Sequence, residues 1–334
     1  MTEANQFNAP QKSRSLFHYT TAQGLLGIIR DRSLFATHAD FSNDSSECKL
    51  ILPYLIKILA DEYEQRVPKL IDLKIMTPDI LREHGRAVFE KEAQISVNAM
   101  LTATNNTAPY FITSFCIHDE KDYEYSHGLL SQWRSYARGG FAIEFDELKI
   151  DGLNQEESAD WRYQMIITDT VSYKDHEARV KPDQFRNMSG AFLRSIIPKL
   201  QFLSSNTRKE LNEIIGTAKL DDFARPFLSV APFLKHSGFE EEAEYRIVAL
   251  CNRPTQFDPG DKRKAKKFHF RSRSDGNIAP YIALYDELKR PLPIKSVIVG
   301  PHAQQENQHK AVQLLLEQYE IKAEVRVSEL PFRE

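Results

Sequence analysis

The stretch FEEEAEYRIVALC, residues 239–251, leads an acidic run directly into the clearest strand pattern of the chain. Aromatic and branched apolar residues favour strands, so we predict a strand over 244–251. The two-residue period of a strand places Glu242, Glu244 and Arg246 on one face. Several like charges at the start of a strand repel one another, so they indicate a functional site. The alternative is an exposed acidic edge whose charge Arg246 partly neutralises.

Outward from this strand, apolar runs and helical periodicities follow one another irregularly along the chain. Further strands are predicted over 16–20, 35–37, 110–116, 140–145, 164–173, 294–299 and 321–327, with a hairpin through 262–270 returning from the strand at 244–251. Helices are predicted over 22–32, 126–138, 183–214, 221–235 and 304–318. Because strands and helices are mixed without strict alternation, we expect an α+β fold rather than a doubly wound sheet.

Two long helical stretches set the expected domain organisation. Residues from about 45–105 and from about 180–236 are interpreted as insertions packed on one core, and Pro53 is expected to kink the first of them or mark a restart. Residues 1–15 are polar and are predicted to form a flexible leader. The remainder, 16–334, is predicted to be a single domain.

Composition limits the class of protein. A formal net charge of -3 argues against a surface that is a nucleic-acid footprint throughout. No stretch approaches the ~20 apolar residues of a membrane span, and no secretory signal is visible. The three cysteines, Cys48, Cys116 and Cys251, are far apart in the sequence. We therefore expect a cytoplasmic protein with buried, reduced thiols and no membrane partner.

Polar and aromatic groups interrupt the apolar pattern at two early places. His18 and Thr20 are two residues apart on a predicted strand, so both can hold a ribose or an amide from the same side. Gln132 and Tyr136 are one helical turn apart, and with Trp133 they form an aromatic and hydrogen-bonding stripe that can hold a flat ring. The alternatives are a core histidine bonded to the backbone and a helix that simply packs on a sheet.

A basic run follows the strand at 244–251. It consists of Lys262, Arg263, Lys264, Lys266 and Lys267, with Arg271, Arg273, Phe268 and Phe270 beyond it. Such a run can hold a nucleic-acid backbone while the rings stack on bases, and the alternative is a solvated hairpin tip. Lys235 and His236 are either part of the acidic site or helix-terminal cations. The ten histidines are dispersed without metal-ligand spacing, so no metal is expected.

Six ordered motifs resemble those of one large bacterial family of uncharacterised domains, over about Leu16 to Arg333. They are HYT at 18–20, NDSSE at 43–47, SFC at 114–116, QWRSY at 132–136, FEEEAEYR at 239–246 and VIVGP at 297–301, closing with SEL at 328–330. That family in turn is similar to remote ADP-ribosyltransferases. The resemblance implies a split β-sheet core with helical insertions.

The same resemblance implies roles for individual residues. His18, Tyr136 and Glu244 would be catalytic, and Trp133 is the alternative to Tyr136. The residues implied to bind NAD are Thr20, Tyr19, Ser114, Gln132, Trp133, Glu242 and Arg246. NAD would be consumed as a substrate, with no metal.

The function implied by the resemblance is transfer of ADP-ribose from NAD to a macromolecular acceptor, either nucleic acid or protein. A toxin or phage-defence role fits such families, with an antitoxin or chaperone as a partner. An NAD glycohydrolase, which uses water as the acceptor, is the nearest alternative. The second alternative is a non-enzymatic module that binds a partner through the acidic strand and the aromatic helix.

Overall fold

The computed structural model describes residues 13–41, 49–79, 86–107, 109–197, 200–251, 260–272, 276–288 and 290–331. The chain folds into a mixed α/β structure built on an open sheet. Its strands are β1 Ser15–Thr20, β2 Leu34–His38, β3 Tyr110–Ile117, β4 Phe141–Asp146, β5 Tyr163–Thr170, β6 Glu244–Cys251, β7 His269–Ser272, β8 Ile278–Leu284, β9 Ile294–Val299 and β10 Glu324–Val327.

Several sequence predictions fall on residues outside these ranges. They are most of the leader, the NDSSE motif at 43–47, Cys48, Arg273 and Arg333. Of the expected leader, Ser15 already belongs to β1.

The helices differ in length and in how they begin. They are α1 Ala22–Asp31, α2 Leu52–Asp72, α3 Arg86–Thr107, α4 Tyr123–His127, α5 Leu130–Gln132, α6 Glu147–Asp160, α7 His176–Arg179, α8 Pro182–Ile196, α9 Ser205–Ile215, α10 Ala224–Leu228 and α11 Gln305–Gln318. A short π-helix, Trp133–Ala137, continues α5. The Thr21 hydroxyl caps α1 by accepting from the Gly24 amide at 3.3 Å, as expected for a threonine before a helix.

The sheet divides at β3. The neighbours along the main path are β10, β9, β4, β1, β3, β2, β8 and β7, while β6 pairs with the other edge of β3 and β5 pairs with β6. β1 pairs with β3 at Cys116 and Ile117, whereas β2 pairs with β3 at Phe111 and Ile112. β1 and β2 therefore share one edge of β3 and part from each other along residues 113–115, which leaves an opening in the sheet.

Helices cover both faces of this sheet. On one face α2, α3, α8 and α9 pack together and against β6 through Val248 and Leu250. On the other face α1, α6 and α11 pack against the apolar residues of β1, β4 and β9. The two stretches interpreted as insertions thus contribute to a single helical layer.

Local patterns gave several boundaries incorrectly. Pro53 lies in the first turn of α2, where a proline is tolerated, so of the two predicted alternatives it marks the start of a helix and does not kink one. The predicted helix over 126–138 is broken at Gly128, whose φ is 75°, because the Trp133 indole packs where a Cβ would stand. The predicted helix over 221–235 consists of short turns and α10.

One helix was not predicted, and the predicted hairpin was wrong. The sequence reading missed α6, which starts where the Asp146 carboxylate accepts from the Lys149 amide at 3.1 Å. β7 pairs with β8 and, within the described residues, not with β6, so 262–270 is not a hairpin returning from β6. No helix in the described part of the chain is long and apolar enough to span a membrane.

Candidate functional site

A cavity of about 950 Å³ lies where β1 and β2 part along β3. Its walls come from β1, the start of α1, β2, the middle of β3, the π-helix and the segment 235–246. The sequence-predicted residues that line it are His18, Tyr19, Thr20, Ser114, Gln132, Tyr136, Glu242, Glu244 and Arg246. Trp133 is the predicted NAD-binding residue that is not among them. The volume lies in the upper part of the range of small-molecule sites.

His18 lies at the opening of the sheet. Its Nδ1 is 3.0 Å from the Ser114 carbonyl oxygen, which can only accept, so Nδ1 carries the proton and Nε2 is an acceptor. Burial lowers the pKa of His18, and the imidazole is therefore neutral near pH 7. The backbone hydrogen bond that the alternative predicted for His18 exists. The ring also borders the cavity, so His18 is not only a core side chain.

The register shows how His18 and Glu244 reach the same cavity. Cys116 lies opposite both Phe17 and Glu244, so those two side chains share a face of the sheet. His18 is one residue further and starts from the other face. The cavity borders both because β1 leaves β3 after Phe17 and opens the sheet there.

Tyr19 forms part of the wall, and its hydroxyl group is engaged within the protein. The hydroxyl accepts from the Leu129 amide at 2.7 Å and is hydrogen-bonded to His118 Nε2 at 2.8 Å. Burial lowers the pKa of His118 to about 4, so the ring is neutral and can accept. Tyr19 thereby holds the chain just before the π-helix rather than offering its hydroxyl to a ligand.

The π-helix separates the roles of its two aromatic residues. Tyr136 is 39% exposed and lines the cavity beside the buried Gln132. Trp133 is fully buried, and its Nε1 donates to the His127 carbonyl oxygen at 3.0 Å. Trp133 therefore cannot be the ring that stacks on a ligand, and Tyr136 is the aromatic side chain that the π-helix presents. Such helical irregularities occur frequently at functional sites.

Four buried charges lie at one end of the cavity. Arg246 Nε donates to Glu244 Oε1 and its Nη2 to Glu244 Oε2, both at 2.8 Å. Lys235 Nζ donates to Glu242 Oε2 at 2.7 Å and to Glu244 Oε2 at 3.1 Å. All four residues are at most 9% exposed. The alternative of an exposed acidic edge is therefore wrong.

Each of these carboxylates has a cation within hydrogen-bonding distance. Burial opposes ionisation of Glu244, but the charges of Arg246 and Lys235 and a hydrogen bond from Ser114 outweigh it and lower its pKa to about 2. Burial likewise opposes the charge on Lys235, and Glu244 together with Glu242 raises its pKa. We call the four residues Lys235, Glu242, Glu244 and Arg246 the cavity cluster. Its formal charges cancel.

Two further cations border the cavity. Arg138 follows the π-helix and Arg271 lies on β7, where its Nη2 donates to Thr37 Oγ1 at 2.8 Å. Among the described lining residues, cations outnumber carboxylates by two. Sequence reasoning missed Arg138 and Thr37 altogether and considered Arg271 only as an extension of the basic run.

Three of the five residues of the basic run form ion pairs within the protein. Lys266 is 4% exposed and donates to Glu157 at 2.6 Å and to Asp286 at 2.7 Å. Arg263 pairs with Asp261, and Lys264 pairs with Glu287. Lys266 is thus not a surface contact for nucleic acid, and the run does not form a continuous basic strip. Lys262 and Lys267 are exposed.

The last two motifs, VIVGP at 297–301 and SEL at 328–330, contact the π-helix and α4. A Cβ at Gly300 would stand 2.9 Å from the Trp133 ring, so only glycine allows this approach. Ser328 Oγ donates to the His127 carbonyl oxygen at 2.6 Å, and the Glu329 amide donates to His127 Nδ1 at 3.2 Å. These motifs hold α4 and the π-helix in place and do not border the cavity.

The described residues contain no group of three or more histidine, cysteine, aspartate or glutamate side chains that could hold a metal ion. Cys116 borders the cavity, but burial raises the pKa of its thiol, with Glu244 and Glu242 acting in the same direction. The thiol is therefore a poor nucleophile. The described residues of the cavity offer binding and fixed charge, and Cys116 does not offer a thiolate.

Comparison with known proteins identifies a domain in the middle of the chain. Residues 132–247 match the family described as "Protein of unknown function (DUF2971)". The matched segment runs from the end of α5 into β6 and so includes Tyr136 and the whole cavity cluster. The match is consistent with the expected uncharacterised domain family over this segment. No curated protein and no solved structure matches the chain.

Proposed function

We propose that this protein is an ADP-ribosyltransferase that moves ADP-ribose from NAD to a macromolecular acceptor. The observation that carries the proposal is that His18, Tyr136 and Glu244, which are distant in sequence, border one cavity of about 950 Å³. Sequence resemblance suggested these three residues without reference to their spatial arrangement. Their proximity supports a common role.

The form of the sheet also supports this proposal. An ADP-ribosyltransferase-like core was expected to have a split sheet, and β1 and β2 part along one edge of β3. The cavity occupies that opening, with α1 crossing from β1 to β2. Ligands are commonly bound where the strands of a sheet diverge.

The charge of the cavity is suited to a dinucleotide. NAD carries a pyrophosphate, and Arg138 and Arg271, which border the cavity, are cations that can bind its oxygens. His18 Nε2 can accept from a ribose hydroxyl because Nδ1 is bonded to Ser114. Tyr136 is exposed enough to stack on the nicotinamide ring.

The reaction needs charge stabilisation more than proton transfer. The bond between ribose C1′ and the nicotinamide nitrogen breaks, and its electron pair leaves with the neutral ring. Positive charge then develops on the ribose, and the carboxylates Glu242 and Glu244 lie in the site to stabilise it. A lone pair of the acceptor forms the new bond at C1′, and the acceptor proton passes to solvent.

Incubation with NAD labelled in its adenosine portion, in separate RNA, DNA and protein pools, tests the proposal. Label in one pool identifies the acceptor and supports transfer. Label released as free ADP-ribose in every pool establishes an NAD glycohydrolase instead. Intact NAD in every pool, with no NAD binding by calorimetry, overturns both activities and favours a non-enzymatic binding module.

A further inference from the structure

We propose that Glu242, rather than Glu244, is the carboxylate that contacts the ribose cation, and that Glu244 is a positioning residue that acts through Lys235. This inference rests on the proposed function. It assigns to the first glutamate of the motif the role that the resemblance implied for the second.

Glu244 has little capacity left for a ligand. Oε1 accepts from Arg246 Nε, and Oε2 accepts from both Arg246 Nη2 and Lys235 Nζ. Ser114 adds a further hydrogen bond to this carboxylate. A carboxylate offers about four lone-pair positions, and four donors are already directed at this one. A ligand would have to displace a buried cation to reach it.

The Glu242 carboxylate, in the same cavity cluster, accepts fewer hydrogen bonds from described residues than the Glu244 carboxylate. Its Oε2 accepts from Lys235 at 2.7 Å, but no described residue donates to its Oε1. The residue is 9% exposed and lines the cavity. Glu242 Oε1 is not among the buried side-chain atoms that lack a partner, so this oxygen is reached from the cavity and can accept from a ligand group there. A ribose carrying positive charge and hydroxyl groups supplies such a partner.

The backbone between the two glutamates keeps both at the cavity. Ala243 has a φ of 41° and lies in the left-handed region, which is unfavourable for a residue other than glycine. Its amide donates to the Glu240 carbonyl oxygen at 3.2 Å, and its carbonyl oxygen accepts from the Ile117 amide at 2.9 Å. These bonds fix the turn from which β6 starts and hold Glu242 beside Glu244.

Lys235 couples the two carboxylates. Its Nζ donates to both and lies 4.8 Å from the centre of the Phe239 ring. Glu244, held by Arg246, therefore fixes Lys235, and Lys235 fixes Glu242 with one oxygen directed away from it. In the reaction, Glu242 stabilises the cation while the C1′ bond to nicotinamide breaks, and it neither forms a bond nor takes a proton.

Three glutamine variants test this division of roles. Glu242→Gln is expected to lower kcat by about 100-fold with KM for NAD changed by less than about threefold, because the contact forms with the developing charge. Its Tm should stay within about 2 °C of wild type. Glu244→Gln is expected to lower Tm by about 5 °C or more and to retain about ten times the turnover of Glu242→Gln.

Glu241→Gln is the matched control, since Glu241 is exposed in the same turn and outside the cavity lining. It should match wild type in turnover and in Tm. Wild-type turnover by Glu242→Gln overturns this inference alone, as does a Glu244→Gln variant with native Tm and the lower kcat of the two. A wild-type protein that does not consume NAD overturns the proposed function and this inference with it.

Discussion

Glu144 and Glu244 are both buried carboxylates held by two cations, yet their surroundings differ. Glu144 Oε1 accepts from Ser15, Tyr125 and Lys295, at 2.7, 3.0 and 2.8 Å. Its Oε2 accepts from Arg326 at 2.8 Å and from Ser296. Every lone-pair position is used, and Glu144 does not line the cavity. The Glu144 cluster joins β1, β4, β9 and β10 and has a structural role.

The comparison shows what distinguishes a structural ion cluster from a candidate site. Burial and shifted pKa values occur in both, since burial opposes the ionisation of Glu144 while bonds from Lys295, Ser296 and Ser15 lower its pKa. The cavity cluster differs in bordering a large cavity and in having an open oxygen on Glu242. Perturbed ionisation alone therefore does not identify the site.

The largest expected effect separates the two clusters directly. Glu144→Ala leaves Lys295 and Arg326 without their shared carboxylate. Glu244→Ala leaves the buried Arg246 without its carboxylate, while Lys235 keeps Glu242. Each change should cost about 4 kcal/mol in the free energy of unfolding. Urea unfolding measures this. At a temperature where both variants remain folded, only Glu244→Ala should lower NAD turnover. A folded Glu144→Ala protein without turnover would remove the distinction between the clusters.

Acid should weaken the cavity cluster with a defined sign. The pKa of Glu244 is about 2 in the folded protein against 4.5 ordinarily, so its stabilisation is complete above pH 4.5 and is lost as pH falls towards 2. The contribution is about 3 kcal/mol. Urea unfolding across this range should show a shallower decline in Glu244→Gln than in wild type. An equally steep decline would show that Glu244 is not strongly paired.

A third cluster extends the comparison to the basic run. Lys266→Met removes a buried cation from Glu157 and Asp286, and uptake of a proton by Glu157 limits the expected loss to about 2 kcal/mol. The neighbouring exposed residue gives the control, since Lys267→Met should change stability by less than about 0.5 kcal/mol. Equal losses in thermal unfolding would contradict the different burial of these two lysines.

The smallest expected effect concerns the cavity itself. A Cβ at Gly27 or at Gly152 would meet no atom of the described residues within 4 Å, yet only Gly27 lines the cavity. Gly27→Leu should weaken NAD binding by about tenfold by occupying the cavity, whereas Gly152→Leu should leave it unchanged. Calorimetry with both variants checks this. Identical affinities would place the ligand away from α1.

Local signals predicted the elements that adjoin the site. β1, α1 and β6 follow from short apolar runs, a capping threonine and a strand period, all of which are visible within ten residues or so. The sequence motifs also indicate His18, Tyr136 and Glu244, which the fold brings to one cavity. These are positions where local sequence and tertiary structure agree.

Long-range contacts account for the errors. The basic run has the composition of a solvated surface, and only partners such as Glu157, 109 residues from Lys266, show that part of it is buried. Trp133 and Tyr136 are both aromatic residues of one helical segment, and the close approach of Gly128 and Gly300 decides which one is buried. The open oxygen of Glu242 depends on side-chain geometry that no sequence pattern contains.

Because α1 connects β1 and β2 across the opening in the sheet, we expect this region to tolerate changes in length poorly. A helix of 10 residues is a rod of about 15 Å, so it fixes the separation of the two strands that it connects. Adding one residue would rotate the following strand by about 100° and shift it by about 1.5 Å. Single-residue insertions between 22 and 31 should therefore be tolerated far less well than substitutions on the exposed side of the same helix.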